Sequence, residues 1–158
     1  YFKFNIDTQN KILNDLDYLS KISQVNVIPS RRTPNQFIKN LSKLNNQNIN
    51  LFTDLFDPIT YGSLLSESNI QIVTWDSISM ISEAISSETG TFLYEFEKES
   101  CPKRYQSFHE MVIQKGFLKR FSRNMRPYTV SMSAYNSELK SKILNKIESN
   151  LWFKNSVS

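Results

Sequence analysis

Apolar positions along the chain keep switching between a short, nearly continuous β-branched rhythm and a helical one. Tyr1–Ile6 alternates weakly, as an edge strand or a linker would. Asp7 is expected to cap a helix in which Ile12, Leu13, Leu16, Leu19 and Ile22 recur at helical spacing. Val25–Ile28 reads as a short buried strand closed by Pro29. Thr33 as N-cap with Pro34 in the first helical position then opens a helix whose apolar face is Phe37, Ile38, Leu41 and Leu44. Ile49–Phe52 is a second strand. Asp57-Pro58 starts a helix with Tyr61, Leu64 and Leu65 facing inward. Ile70–Thr74 is a third strand and Ser77–Ser86 its helix, with Thr89-Gly90 as the stop. Thr91–Phe96 is a fourth strand. Pro102 opens a helix to about Lys115, with Tyr105, Phe108, Val112 and Ile113 on one face and Gly116 at its end. Phe117–Phe121 is ambiguous. Ser133 begins a last amphipathic helix, 133–151, through Leu139, Ile143, Ile147 and Leu151.

Strands alternating with helices of this length predict right-handed βαβ units around a parallel sheet. The expected fold is α/β, a Rossmann-like three-layer domain occupying residues 1–158. Ligands of such sheets bind beyond the carboxyl ends of the strands. Two polar segments, Ser30–Pro34 and Thr74–Glu83, follow strands and are therefore expected on one edge of the sheet. No internal repeat is visible.

Composition narrows the chemistry. With 39% hydrophobic and 22% charged residues the chain is globular rather than disordered. Only 3 glycines argue against a glycine-rich phosphate loop. The net charge of +4 is unevenly placed: residues 1–100 carry 8 basic and 12 acidic side chains, residues 101–158 carry 11 and 3. The basic excess centres on Lys115, Lys119, Arg120, Arg123 and Arg126. Such a patch suits a phosphorylated ligand, a nucleic acid or an anionic membrane, and equally a solvated face. The single cysteine, Cys101, excludes an intrachain disulfide and a cysteine metal cluster, and fits a reducing compartment. No apolar run reaches the ~20 residues of a membrane span, and no secretory signal is apparent. The expected location is cytoplasmic, peripheral to a membrane if the basic face is used. Beginning at Tyr1 directly in patterned sequence, the chain reads as a piece of something longer.

The segment from Thr74 to Glu83 carries the most chemistry. A strand delivers a polar turn, Trp75-Asp76-Ser77, onto a helix start, where free N–H groups and the helix dipole favour an anion. Ser77 and Ser79 add hydroxyls there. Glu83, less than two turns further on, is placed to accept hydrogen bonds from sugar hydroxyls. Asp76 and Ser77 also cap a helix whether or not anything binds. Met80 is core filler or pocket lining. Ser30-Arg31-Arg32-Thr33 puts two guanidinium groups and two hydroxyls ahead of another helix, a set that matches phosphate oxygens unless one arginine pairs with a carboxylate. His109, the only histidine, has no partner set for a zinc site or a Cys–His pair and reads as a surface or satisfied residue. No Ser–His–Asp order or paired-carboxylate motif is present. No metal and no cofactor are expected, and no nucleic-acid-binding module is recognisable.

Two strings bring in a family. Ser30-Arg31-Arg32-Thr33-Pro34 and Thr74-Trp75-Asp76-Ser77-Ile78-Ser79-Met80-Ile81-Ser82-Glu83-Ala84 occur together here, with Gly90 and Thr91–Tyr94 following as a glycine and then a strand. Over about residues 20 to 150 the chain resembles the C-terminal half of the plant mitochondrial-fission (elongated-mitochondria) factors and their bacterial relatives. Asp57-Pro58-Ile59-Thr60-Tyr61 departs from that family's Asn-Pro-Tyr-like element at its first position. The resemblance implies a fold similar to GT-B glycosyltransferases, with this chain as the C-terminal half of a two-domain protein. It further implies a nucleotide-diphosphate sugar as ligand: Glu83 on the ribose, Ser77, Ser79 and their amides on the diphosphate, Arg31 or Arg32 assisting, Met80 lining the pocket. An N-terminal domain would then supply the acceptor site and any catalytic base. The rival implication is a non-enzymatic recruiting module that keeps the fold without turnover and works through Lys115–Arg126 or an apolar patch.

Overall fold

A computed structural model describes residues 4–53, 57–96, 101–134, 141, 144 and 145. The class is α/β, and among the described residues the elements include five α-helices and two sheets of parallel strands in Rossmann-like alternation. The chain divides into two compact units, Phe2–Leu64 and Leu65–Ser158.

The first unit holds α1 (Ile6–Ser20), β1 (Val25–Val27), α2 (Asn35–Lys43), β2 (Ile49–Leu51) and most of α3 (Pro58–Glu67). β1 and β2 pair in parallel, Val25 opposite Ile49 and Val27 opposite Leu51. Asn26 and Asn50, opposite each other in register, join their side-chain amides at 3.0 Å. The core gathers on Leu19, Phe37 and Leu41, with Phe4 edge-on to Phe37 at 5.2 Å.

Several local expectations shift here. Asn5, not Asp7, caps α1: its Oδ1 accepts from the Thr8 N–H at 2.8 Å, and Asp7 sits in the first turn. The helix stops at Ser20, so Ile22 falls beyond its apolar face and is 67% exposed. Thr33 does not cap α2. Its hydroxyl oxygen accepts from the Ser30 N–H at 2.9 Å, and Pro34 takes the cap position with no side-chain bond. Asp57 does open α3, its Oδ1 accepting from the Ile59 N–H at 3.0 Å and its other oxygen from the Thr60 hydroxyl.

In the second unit β3 (Gln71–Thr74), α4 (Ile78–Ser86), β4 (Thr91–Tyr94), α5 (Lys103–Gln114) and β5 (Leu118–Arg120) form two consecutive βαβ units, strand order β3-β4-β5. All four residues of the central strand β4 are buried, as a parallel strand flanked on both sides requires. Phe117–Phe121, ambiguous in sequence, contains β5, paired through Thr91–Leu118 and Leu93–Arg120. Only three residues long and ending in two exposed basic side chains, it offers little hydrophobic pattern to read.

The stop after α4 also differs from expectation. Glu88, at φ 61°, takes the left-handed position after the helix. Gly90 serves a close approach instead. A Cβ there would lie 2.5 Å from the Tyr128 carbonyl oxygen and 2.6 Å from its ring. The segment around Tyr128 straps the amino-terminal end of β4. Val130 N–H donates to Glu88 O at 2.9 Å, and the Tyr128 hydroxyl donates to Thr91 O at 2.6 Å. Beyond it a 3-10 turn spans Met132–Ala134. The apolar positions of the helix expected over 133–151, Leu139, Ile143, Ile147 and Leu151, lie outside the described residues.

Candidate functional site

Three strands run parallel in the second unit, so Thr74, Tyr94 and Arg120 mark one carboxyl edge. The most built-up part of that edge is the β3–α4 corner. Trp75 carries the ladder one step past β3, its N–H donating to Tyr94 O at 3.1 Å. Its indole is 2% exposed and meets Phe96 edge to face at 6.0 Å. Burying so large a ring fixes the direction in which the chain leaves the sheet. Asp76 and Ser77 follow, both buried. Ser77 N–H donates to Thr74 O at 3.4 Å, closing the turn. The Ser77 hydroxyl oxygen then caps α4 by accepting from the Met80 N–H at 3.3 Å.

The capping reading of Ser77 is therefore realised, and it leaves the helix start intact as an electrostatic feature. The amides of Ile78 and Ser79 have no intrahelical acceptor by geometry, and the positive end of the dipole lies there. Ser79, Met80 and Glu83 are half-buried on a face turned away from Ile78, Ile81 and Ile85. The Ser79 hydroxyl donates to Glu83 Oε1 at 3.1 Å. One turn apart on the same side, these residues hold a carboxylate in a fixed direction beside the helix start.

The other polar segment closes upon itself. It follows β1 at the carboxyl edge of the first unit's own sheet. Thr33 N–H donates to Ser30 O at 3.0 Å, Ser30 N–H to the Thr33 hydroxyl at 2.9 Å, and Arg32 N–H to the Ser30 hydroxyl at 3.2 Å. Both hydroxyls thus build the turn. Arg31 and Arg32 are exposed at its tip. This segment belongs to the first unit and the β3–α4 corner to the second.

The basic residues have distinct local roles. Lys115 follows α5 as its C-terminal cap residue. Lys119 places its Nζ 4.1 Å from the centre of the Tyr128 ring. Arg120 lies between two carboxylates: its Nε is 3.3 Å from Glu95 Oε2, and its Nη2 meets Glu110 Oε1. Arg123 and Arg126 are exposed.

Sequence reasoning missed the layer beneath the corner. His109 on α5 is 3% exposed, between Tyr105 and Phe108, and its Nε2 has no hydrogen-bond partner among the described residues. Burial pushes its pKa down to about 4, against the opposing influence of the Trp75 backbone and the Glu110 carboxylate. The imidazole is thus neutral at pH 7. One signal was present in the sequence: residues 105, 108, 109 and 112 share one helical face, so His109 falls in the middle of an apolar stripe. Trp75 and Phe96, placed just past strand ends, gave no comparable signal. Cys101 is buried, and its thiol pKa is raised by burial and by Glu95. Among the described residues no cluster of three or more His, Cys, Asp or Glu side chains forms a metal site, and no helix is long and apolar enough to cross a membrane.

A family model described as mitochondrial fission ELM1 matches residues 1–144, an earlier start than the resemblance read from the two motifs. No curated protein and no solved structure matches the chain.

Proposed function

The chain belongs to the mitochondrial fission ELM1 family, and from that premise we propose that its β3–α4 corner binds a nucleotide-diphosphate sugar. The observation that carries this reading is the Ser79–Glu83 pair, 3.1 Å apart, on the half-buried flank of a helix entered directly from a strand's carboxyl end. In the proposed complex the diphosphate meets the first-turn amides of Ile78 and Ser79, where the dipole and unpaired donors reinforce each other. Glu83 accepts from the ribose hydroxyls, a charge-assisted pairing. Met80 lines the pocket. Thr74 and Asp76 frame the turn. A GT-B-like partner domain contributes the acceptor side.

If glycosyl transfer follows, the work of this corner is electrostatic. Fixed amides stabilise the negative charge that develops on the departing diphosphate, with no reorganisation at the moment of reaction.

Calorimetric titration of the full chain with UDP- and GDP-sugars tests the reading. Saturable binding is expected, weakened about 10- to 150-fold by Glu83→Ala, the range of a lost hydrogen bond to a charged group. Absence of saturable binding by every probe refutes it. Salt-sensitive binding to anionic liposomes in its place, lost on neutralising Lys115, Lys119 and Arg126, would mark a recruiting module.

A further inference from the structure

Arg120 was the centre of a basic patch in sequence, yet its guanidinium faces two acids. It is the last residue of β5. Glu95 lies one residue past the end of β4, and Glu110 is on α5. One planar fork thus ties the exit of the central strand to a helix across the edge strand. The same exit leads to the candidate site. Phe96, next to Glu95, packs against Trp75 at 6.0 Å and Tyr94 at 6.4 Å. Tyr94 lies against Phe121 at 4.9 Å, and the Phe121 N–H donates to Leu93 O at 2.9 Å. Four rings, Phe121, Tyr94, Phe96 and Trp75, therefore run in a row from the Arg120 side to the residue that opens the β3–α4 turn.

From this juxtaposition we propose that Arg120 is a positioning residue for the β3–α4 corner, holding through Glu95 and Phe96 the backbone that presents the first-turn amides of α4 to the ligand. The inference rests on the nucleotide-sugar reading for the identity of that ligand, but not for the bracing itself. Magnitudes separate bracing from bulk stability. Arg120 is 46% exposed, Glu110 51% and Glu95 26%, so the pairs, that to Glu110 above all, add little to global stability. Losing them should leave the unfolding midpoint nearly unchanged. A corner released by even a fraction of an ångström misplaces every amide in it.

The test compares wild type, Arg120→Lys and Arg120→Gln in the full chain. Three readouts are taken: hydrogen exchange of the Trp75–Met80 amides, urea unfolding, and calorimetric affinity for UDP-glucose and GDP-mannose. For Arg120→Gln, faster exchange at the corner is expected, together with an affinity loss of roughly 2- to 30-fold for whichever probe saturates wild type, at an unchanged midpoint. Arg120→Lys, which keeps the charge and one carboxylate contact, should fall between. Corner exchange identical to wild type overturns the proposal. So does faster exchange with affinity intact, or an affinity loss that merely follows a lowered midpoint. If neither probe saturates wild type, the nucleotide-sugar reading fails by itself, and the exchange data still decide whether Arg120 braces the corner.

Discussion

Acidification should destabilise this protein through one side chain that the sequence made easy to overlook. His109 is 3% exposed and neutral, with a folded pKa of about 4 against an ordinary value of 6.5. Between those values the unfolded chain binds a proton that the folded chain refuses. Stability therefore rises with pH across the window: the contribution is complete above pH 6.5 and is lost as the pH falls toward 4. The gap corresponds to about 3 kcal/mol as an upper figure, since residual solvent around the ring reduces it. Urea unfolding at pH 7, 6, 5 and 4, with His109→Phe as the comparison, isolates the term. Phe keeps a ring against Tyr105 and Phe108 and cannot titrate, while carboxylate effects common to both proteins cancel in the difference. Wild type should lose up to about 3 kcal/mol more than His109→Phe between pH 7 and pH 4. Because the chain has a single histidine, its imidazole carbon signal can be followed in NMR without assignment ambiguity. A titration midpoint near 6.5, or parallel stability curves for the two proteins, would refute the reasoning.

Gly90→Ala should lower stability by about 1–3 kcal/mol, the usual cost of overpacking, because its Cβ would press on the Tyr128 backbone 2.5 Å away; a thermal midpoint equal to wild type would show that the strap yields freely. Ser77→Ala should cost about 1 kcal/mol through loss of the cap, and Ser77→Gly only a few tenths. Equal losses in urea unfolding would mean that the hydroxyl is not what holds the start of α4.

Much of the fold was legible because it is local. The hydrophobic rhythm located β1 through β4 and the helices between them, since a strand buried on both faces and a helix buried on one leave different periods in the chain. The Ser77 cap was readable for the same reason: cap and partner lie within one turn. The failures also have a common cause. Thr33 was a plausible cap by propensity, but Ser30 lies three residues back and offers its backbone N–H, so a reciprocal turn captured the hydroxyl first. Gly90 looked like a helix stop until Tyr128, distant in sequence, occupied the space its missing side chain leaves.

The chain by itself determined which segments become strands, which become helices, and that polar turns follow β1 and β3. Periodicity and capping act over a few residues, and sequence records them directly. Which elements lock together was decided only in three dimensions: His109 buried against the Trp75 backbone, Arg120 shared between Glu95 and Glu110, Tyr128 closed over Gly90 and Thr91. Each joins residues from different elements. A side chain's charge and solvation depend on such neighbours, and linear order does not specify them. For that reason one arginine could look like a surface cation in sequence and serve as a cross-link in the fold.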